Sequence, residues 1–304
     1  MDDSEWLAGR FERHRPHLRA VAYRMLGSLA EADDAVQDTW MRLSRSGDED
    51  VENLGGWLTT IVARVCLNML RSRQRRGEEP LAVHLPDPVI GPDAGIQPEE
   101  QALLADSVGL ALMVVLDTLT PDERLAFVLH DLFDLPFRDV AAVVGRTPAA
   151  AKQLASRARR RVRDAEVPSE PDRARQREVV DAFFAAARQG DFDALVAVLH
   201  PDVVVRVDGG ARHPEASMLL RGPAAVAKQA AMGMATLLGH PATGLLPVLV
   251  NGSAGVIVTR HGRPVTVMGF TVAGGQVVQI SGIADPERAE RITAGALGQG
   301  DIAS

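Results

Sequence analysis

Residues 137–163 constrain the fold most, because a pattern typical of a helix with one apolar face is followed there by a long basic segment. Gly145 separates the two patterns and suits the sharp turn that ends a helix. Thr147 can cap a second helix, and Pro148 suits its first turn. The first helix is predicted from apolar residues at the spacing of one helical face, namely Phe137, Val140, Ala141 and Val144. The pattern predicts a helix-turn-helix.

The second helix is strongly basic, although the whole chain carries a formal net charge of -7. No acidic residue occurs between Asp139 and Asp164, and this interval contains Arg146, Lys152, Arg157, Arg159, Arg160, Arg161 and Arg163. Such a segment favours contact with a phosphate backbone, with the second helix in the major groove of DNA. The alternative is a solvated basic face on a surface helix.

The composition is typical of an ordinary globular protein, and the sequence predicts no membrane span. The 304 residues are enough for two or more domains, and no run of about 18 apolar residues occurs. The first residues are acidic and lack the pattern of a signal peptide, so a cytoplasmic location is expected. The single cysteine, Cys66, excludes an internal disulfide and is expected to be a small buried hydrophobe.

Changes in pattern divide the chain. Helices are expected over 5–76 and 99–166, joined by a proline- and glycine-rich flexible linker over 77–98. Residues 173–290 predict an α+β domain with helices first and then a mostly antiparallel sheet. Its strands are expected at 203–207, 245–250, 255–260, 264–272 and 276–282, and a helix at 223–232. No metal-ligand pattern or phosphate-binding glycine loop occurs, so neither a metal nor a cofactor is predicted.

Two further charged patterns lie in the first helical segment. Asp34, Gln37, Asp38 and Met41 share a stripe opposite the apolar face of their helix. This stripe either docks on a basic partner or is an ordinary solvated surface. Residues 53–77 contain no acid but hold Arg64, Arg71, Arg73, Arg75 and Arg76. Because the overall charge is negative, the chain should bind free duplex DNA poorly and should need a partner.

Two segments together resemble one family. A-E-A-D-D-A-V-Q-D-T-W-M-R-L (30–43) and G-W-L-T-T-I-V-A-R-V-C-L-N-M-L-R-S-R-Q-R-R (56–76) resemble region 2 of extracytoplasmic-function sigma factors. Residues 119–163 are similar to their region 4. The resemblance implies two all-α sigma domains that bind core RNA polymerase and direct it to promoters. A plain helix-turn-helix regulator that binds DNA alone is an alternative.

The resemblance assigns roles to positions. Asp34, Gln37 and Asp38 match the contact with polymerase, and Met41 shares their stripe. Contact with the promoter −10 element is implied for Arg64, Asn68, Arg71, Arg73, Arg75 and Arg76, with a base pocket in the loop 47–56. Contact with the −35 element is implied for Ala149, Ala151, Lys152, Ser156, Arg157 and Arg160. The run Ala149–Ala151 departs from the polar residues frequent there, so the −35 sequence preference is left open.

Residues 173–290 resemble a SnoaL-like cone, through element order and A-R-Q-G-D-F-D-A-L-V-A-V-L-H-P-D-V-V (187–204). A subgroup of the same sigma factors carries this domain, which is understood to control activity in cis. Its short motifs match Leu85, Pro86, Asp87 and Pro88, then Asp208, Gly209, Gly210 and Arg212, and finally Asp285 and Pro286. A small-molecule ligand in the cone is a further expectation.

An enzymatic role for the cone domain is the remaining alternative. SnoaL relatives include cyclases and isomerases that use an Asp or His base. The candidate bases are Asp208, His213, His240 and His261. No pair among them has a spacing that requires shared chemistry, so no catalytic residue is predicted.

Overall fold

A computed structural model describes residues 3–46, 53–76, 83–93, 110–165, 170–240 and 242–294. The chain forms two compact units that interleave along the sequence. The first unit comprises Met1–Glu79 and Leu112–Glu166, and the second comprises Pro80–Ala111 and Val167–Ser304. The segment that joins the two helical modules of the first unit therefore belongs to the second.

The first unit is helical. Its helices are α1 (Asp3–Leu26), α2 (Leu29–Ser46), α3 (Leu54–Arg76), α4 (Leu110–Asp117, which begins in the second unit), α5 (Pro121–Phe127, extended by a π-helical turn at Val128–Leu132), α6 (Phe137–Val144) and α7 (Pro148–Ala165). Helices α1 to α3 pack around fully buried side chains, among them Leu18, Tyr23, Leu43 and Leu58.

Side-chain hydrogen bonds cap two helix starts in this unit. Thr120 Oγ1 accepts a hydrogen bond from the Glu123 amide at 3.3 Å, and the Glu123 carboxylate accepts one from the Thr120 amide at 3.3 Å. This reciprocal capping box fixes the start of α5. Gly145 adopts a left-handed conformation with φ of 74°, and Thr147 accepts from the Ala150 amide at 3.2 Å. The predicted helix-turn-helix is thereby confirmed.

The second unit is an α+β domain, as predicted. Its elements are β1 (Ile90–Pro92), α8 (Arg173–Gln189), α9 (Phe192–Val198), β2 (Leu199–Asp208), β3 (Met218–Arg221), α10 (Pro223–Leu238), β4 (Thr243–Val250), β5 (Ser253–Arg260), β6 (Arg263–Ala273), β7 (Gln276–Ile283) and α11 (Pro286–Thr293). The sheet order is β1-β4-β5-β6-β7-β2-β3, with β2 and β7 parallel and the other pairs antiparallel. Phe183, Phe270 and Ile280 belong to the core between the sheet and α8 to α10.

The structure differs from the flexible linker that the sequence predicts over 77–98. Its described part, residues 83–93, packs against the second unit, and residues 85–91 are buried. Strand β1 pairs with β4, and Asn251 exchanges hydrogen bonds with Val89: its side chain accepts from the Val89 amide at 2.8 Å, and its amide donates to the Val89 carbonyl at 2.8 Å. A three-residue strand within a proline-rich segment gives no periodic signal, and the edge of the sheet supplies its hydrogen-bond partners.

The predicted strands are present with longer bounds, whereas β1 and β3 lie where no strand was predicted. Among the described helices, none has the length and apolar character that crossing a membrane requires.

Cys66 lies fully buried in α3, and burial raises the pKa of its thiol to about 12. The thiolate is the reactive form of cysteine, so the folded protein should resist thiol reagents. We expect 5,5′-dithiobis(2-nitrobenzoic acid) at pH 8 to leave Cys66 unmodified in the native protein and to modify it completely in denaturant. Rapid modification of the native protein would contradict this burial.

Candidate nucleic-acid interface

Helix α2 presents the predicted partner-binding stripe to solvent. Asp34, Gln37, Asp38 and Met41 are all exposed, and Met41 retains 42% of its accessible surface. The opposite face is buried through Ala32, Ala35, Val36, Thr39 and Leu43. The helical period therefore places an acidic and amide strip on one accessible side of this module.

Helix α3 carries the predicted −10 residues, and several of them contact other groups of the first unit. Arg64 and Asn68 are exposed one turn apart, and Arg64 donates to the Ala142 carbonyl at 3.3 Å. Arg71 donates to Asp122 Oδ1 at 2.7 Å. Arg73 pairs with Glu31, and Arg75 is exposed. The side chain of Arg76 and residues 47–52 of the predicted base pocket lie outside the described residues.

Helix α7 exposes a polar and basic stripe. Ala149, Lys152, Ser156 and Arg160 are exposed at intervals of three and four residues, and thus lie along one side of the helix. Arg157 is also exposed. These five predicted −35 residues lie where DNA can reach them.

Ala151 was wrongly assigned to this surface. Its side chain is fully buried, in line with Leu154, Ala155 and Ala158 on the apolar face of α7. A residue on that face packs against the helices beneath it and cannot contact a base. The helical period of α7 therefore places Ala151 on the packed side, whereas the resemblance had placed it on the DNA-facing side.

Arginines of α7 are neutralised by carboxylates of the same unit. Glu123 pairs with Arg157 at 3.2 Å and with Arg161 at 3.0 Å, and Asp131 pairs with Arg159 at 2.5 Å. Glu123 is buried and is also the capping-box residue of α5. Phosphates that approach these arginines must compete with the internal carboxylates.

The motif residues of the second unit converge on the linker in an arrangement that we call the linker clamp, formed by Leu85, Asp87, Asp208, Asp285 and Arg288. Asp208 Oδ2 accepts from the Leu85 amide at 2.9 Å and from Arg288 Nη1 at 2.8 Å. Arg288 Nε donates to Asp87 Oδ1 at 2.7 Å, and its Nη2 donates to the Leu85 carbonyl. Asp285 caps α11 by accepting from the Arg288 amide at 3.1 Å.

The other motif residues support the linker clamp. Gly210 has φ of +69°, donates to Asp208 Oδ1 at 2.9 Å, and leaves no room for a Cβ beside Asp285. Gly209 likewise lies against the His213 carbonyl. Pro86 and Pro88 are buried, Pro286 begins α11, and Arg212 forms an exposed ion pair with Glu287.

Asp208 is ionised in this setting. Burial raises the pKa of the Asp208 carboxyl, but the hydrogen bonds from His84, Leu85 and Gly210, together with the charge of Arg288, outweigh it and hold that pKa well below its usual range. The charged linker clamp is therefore the stable form at neutral pH.

The candidate bases for catalysis do not form a site. Asp208 is fully buried and already engaged in the linker clamp. His213, His240 and His261 are exposed, and each lies in a different connection between elements. Across the described ranges, no group of three or more His, Cys, Asp or Glu side chains is placed to hold a metal ion.

Comparison with known proteins gives three family matches along the chain. The models for Sigma-70 region 2, Sigma-70 region 4 and a SnoaL-like domain match residues 10–76, 109–162 and 180–284. The ECF RNA polymerase sigma factor SigJ of Mycobacterium tuberculosis is 38% identical over 91% of this chain and 91% of its own length. The chain belongs to the ECF RNA polymerase sigma factors.

Other comparisons agree. The probable ECF RNA polymerase sigma factor SigI of Mycobacterium tuberculosis is 30% identical over 97% of this sigma factor and 98% of its own length. The crystal structure of SigJ superposes with a TM-score of 0.73, at 36% identity over 92% of this chain and 97% of that one. As a sigma factor, the protein acts in promoter-directed transcription initiation, and the alternative of a cyclase or isomerase is not favoured.

Sequence analysis of the sigma factor missed three functional partners. Arg288 lies outside the motif positions that the resemblance assigned, yet its guanidinium donates to Asp87 and to the Leu85 carbonyl of the linker. The Asn251 side chain was assigned no role, although it accepts a hydrogen bond from the Val89 amide. The pairing of Glu123 with Arg157 gives no local signal in the sequence, because the two residues are 34 positions apart.

Asp208→Asn keeps the size of the side chain but removes its charge, leaving the buried Arg288 with a weakened partner. We expect the linker clamp to lose about 2 kcal/mol and amide hydrogen exchange over residues 83–93 to accelerate at pH 7. The exposed Asp202→Asn on the same strand is the matched control. Equal exchange in the two variants would contradict the role of Asp208.

The depressed pKa of Asp208 also predicts an acid dependence. A carboxyl with a lowered folded-state pKa stabilises the fold fully above its unfolded value, about 4, and loses that contribution as the pH falls through the folded value. Protection factors for amide exchange over residues 83–93, which are corrected for the pH dependence of intrinsic exchange, should therefore fall below about pH 4 in the native sequence, and Asp208→Asn should flatten this acid response.

Proposed function

We propose that the exposed stripe of α2 binds core RNA polymerase, and that α3 and α7 contact the −10 and −35 elements of the promoter. The observation that carries this proposal is the exposure of these three surfaces in a chain that is 38% identical to SigJ over 91% of its length. With core RNA polymerase and promoter DNA as partners, the proposal implies a cytoplasmic location.

Charge supports a requirement for polymerase. The chain is acidic overall, at -7, so its long-range field opposes the approach of free DNA. Several of its arginines are also paired with internal carboxylates. Docking on the polymerase would hold the chain beside DNA and compensate for this weak intrinsic attraction.

Within the −35 surface, residue chemistry suggests a division of roles. Lys152 and Arg157 are the candidates for base edges, because their side chains donate to guanine acceptors. Ala149 offers a methyl group to thymine, whereas Ser156 and Arg160 are placed for backbone or base contacts on the same exposed side. Ala151 takes no part, because it is buried.

The α2 stripe can be tested by charge reversal. Asp34→Lys with Asp38→Lys should weaken binding to core polymerase at least about tenfold, because opposed charges across an interface attract and like charges repel. Affinity is measured by fluorescence anisotropy of labelled protein. The control is Asp181→Lys, an exposed charge reversal on α8. Equal binding by both variants would refute this docking surface.

We propose further that the second unit controls activity in cis by holding the linker. Residues 83–93 lie between the two promoter-binding modules in the sequence, so their capture shortens the chain that is free to span the promoter elements. Arg288 joins Leu85, Asp87 and Asp208 from within the second unit. Release of these contacts would shift the population toward separated modules.

Arg288→Ala tests this control. Removing the guanidinium leaves Asp87 and Asp208 without their shared cation, so the linker should be released and promoter-specific transcription with core polymerase should rise at least about twofold. The exposed Arg291→Ala, on the same helix, should leave transcription unchanged. Unchanged transcription in a folded Arg288→Ala variant would count against cis control.

The expected small-molecule ligand of the cone stays a prediction. Phe183, Phe184 and Phe270 pack on one another with ring centroids 5.5 to 5.7 Å apart. This filled apolar core favours a contact role for the domain over a ligand-binding one.

A further inference from the structure

A cleft of about 1020 Å³ lies within the first unit, bordered by α3, α5 and α7. Arg71 and Arg75 of α3 line one side of it, whereas Arg146 and Arg157 enter from the helix-turn-helix. Residues from the two promoter-binding modules therefore surround a common space, whose size suits a small ligand.

The arginines of this cleft exceed its acids. Asp122 pairs with Arg71 at 2.7 Å, and Glu123 pairs with Arg157 at 3.2 Å. The Arg75 Nε donates to the Arg71 carbonyl at 3.3 Å, and within the described residues the side chains of Arg75 and Arg146 form no ion pair with a carboxylate. Two uncompensated guanidinium groups thus face the cleft from opposite modules, and guanidinium is the preferred partner of phosphate.

Neutral groups complete the lining. The amide side chains of Asn68, Gln74 and Gln153 both donate and accept hydrogen bonds, and Leu154 adds an apolar surface. Such amides can bind phosphate oxygens or the edge of a nucleobase, so the cleft offers more than charge alone.

We propose that this cleft binds a small molecule with two or more linked phosphate groups, held between Arg75 on one side and Arg146 on the other. The inference rests on the proposed function, because the same surfaces are assigned to promoter DNA. A bound polyphosphate joins α3 to α7, keeps the modules together, and competes with DNA phosphates for Arg71 and Arg157. The ligand thereby lowers promoter engagement.

Binding is tested by isothermal titration of the full chain with inorganic tripolyphosphate. Arg75→Gln and Arg146→Gln should each weaken binding about tenfold or more, as expected for loss of one charge-assisted contact. Arg138→Gln, which removes an exposed arginine of α6 that pairs with Asp139 and does not line the cleft, should bind like the native sequence. Weaker tripolyphosphate binding in only one of the two cleft variants, or equally weaker binding in the control, would overturn the proposal that Arg75 and Arg146 hold the ligand together.

Two further titrations define the ligand. Orthophosphate should bind at least about tenfold more weakly than tripolyphosphate, because a single phosphate group offers fewer oxygens for charge-assisted hydrogen bonds to the two arginines; equal affinity would overturn the proposal. A titration with GTP distinguishes two classes of ligand. An affinity above that of tripolyphosphate assigns a nucleoside polyphosphate, and an equal or lower affinity assigns inorganic polyphosphate.

Failure of this inference is distinguishable from failure of the proposed function. Promoter opening by the protein and core polymerase without any added polyphosphate tests the function alone. Added tripolyphosphate should then reduce promoter opening in the native sequence more than in the Arg146→Gln variant, each compared with its own level without the ligand. Equal fractional inhibition would show general competition with DNA and would reject the cleft as the site.

Discussion

The buried pair of Asp208 and Arg288 is the interaction on which the second unit's hold on the linker depends. Asp208 is fully buried, and an isolated charge there would be strongly disfavoured. Arg288, the Leu85 amide and the Gly210 amide together satisfy it. One of these donors, the Leu85 amide, belongs to the linker. The docked linker therefore completes the hydrogen bonding of the Asp208 carboxylate, and removal of the linker would leave that carboxylate without one of its donors.

The same electrostatic logic applies in the first unit. Arginines suited to phosphate are paired with nearby carboxylates, as in Arg71 with Asp122 and Arg157 with Glu123. Under the proposed function, a DNA phosphate would replace the carboxylate in each such pair, so these arginines would serve both the free protein and the DNA-bound one. Promoter engagement would then depend on which anions pair with these arginines.

Local patterns predicted the elements that depend on nearby residues. The helix cap at Thr147, the turn at Gly145 and the exposed stripe of α2 each arise within one or two helical turns, where spacing determines geometry. Ala151 failed because alanine is compatible with both a packed face and a DNA-facing one. Its side chain carries no polar group that distinguishes them, and burial was decided by the neighbouring helices.

The sequence by itself determined the family, the helical modules, the α+β domain and most of the residues that form the exposed stripes of α2 and α7. Only the tertiary structure decided what those residues contact within the chain. It brought Leu85 and Asp87 to Arg288 across some 200 positions, turned a linker into an edge strand, and placed arginines of two modules around one cleft. Such contacts form between elements that are distant in the sequence. The spacing of residues along the chain predicts local structure only, so it could not predict them.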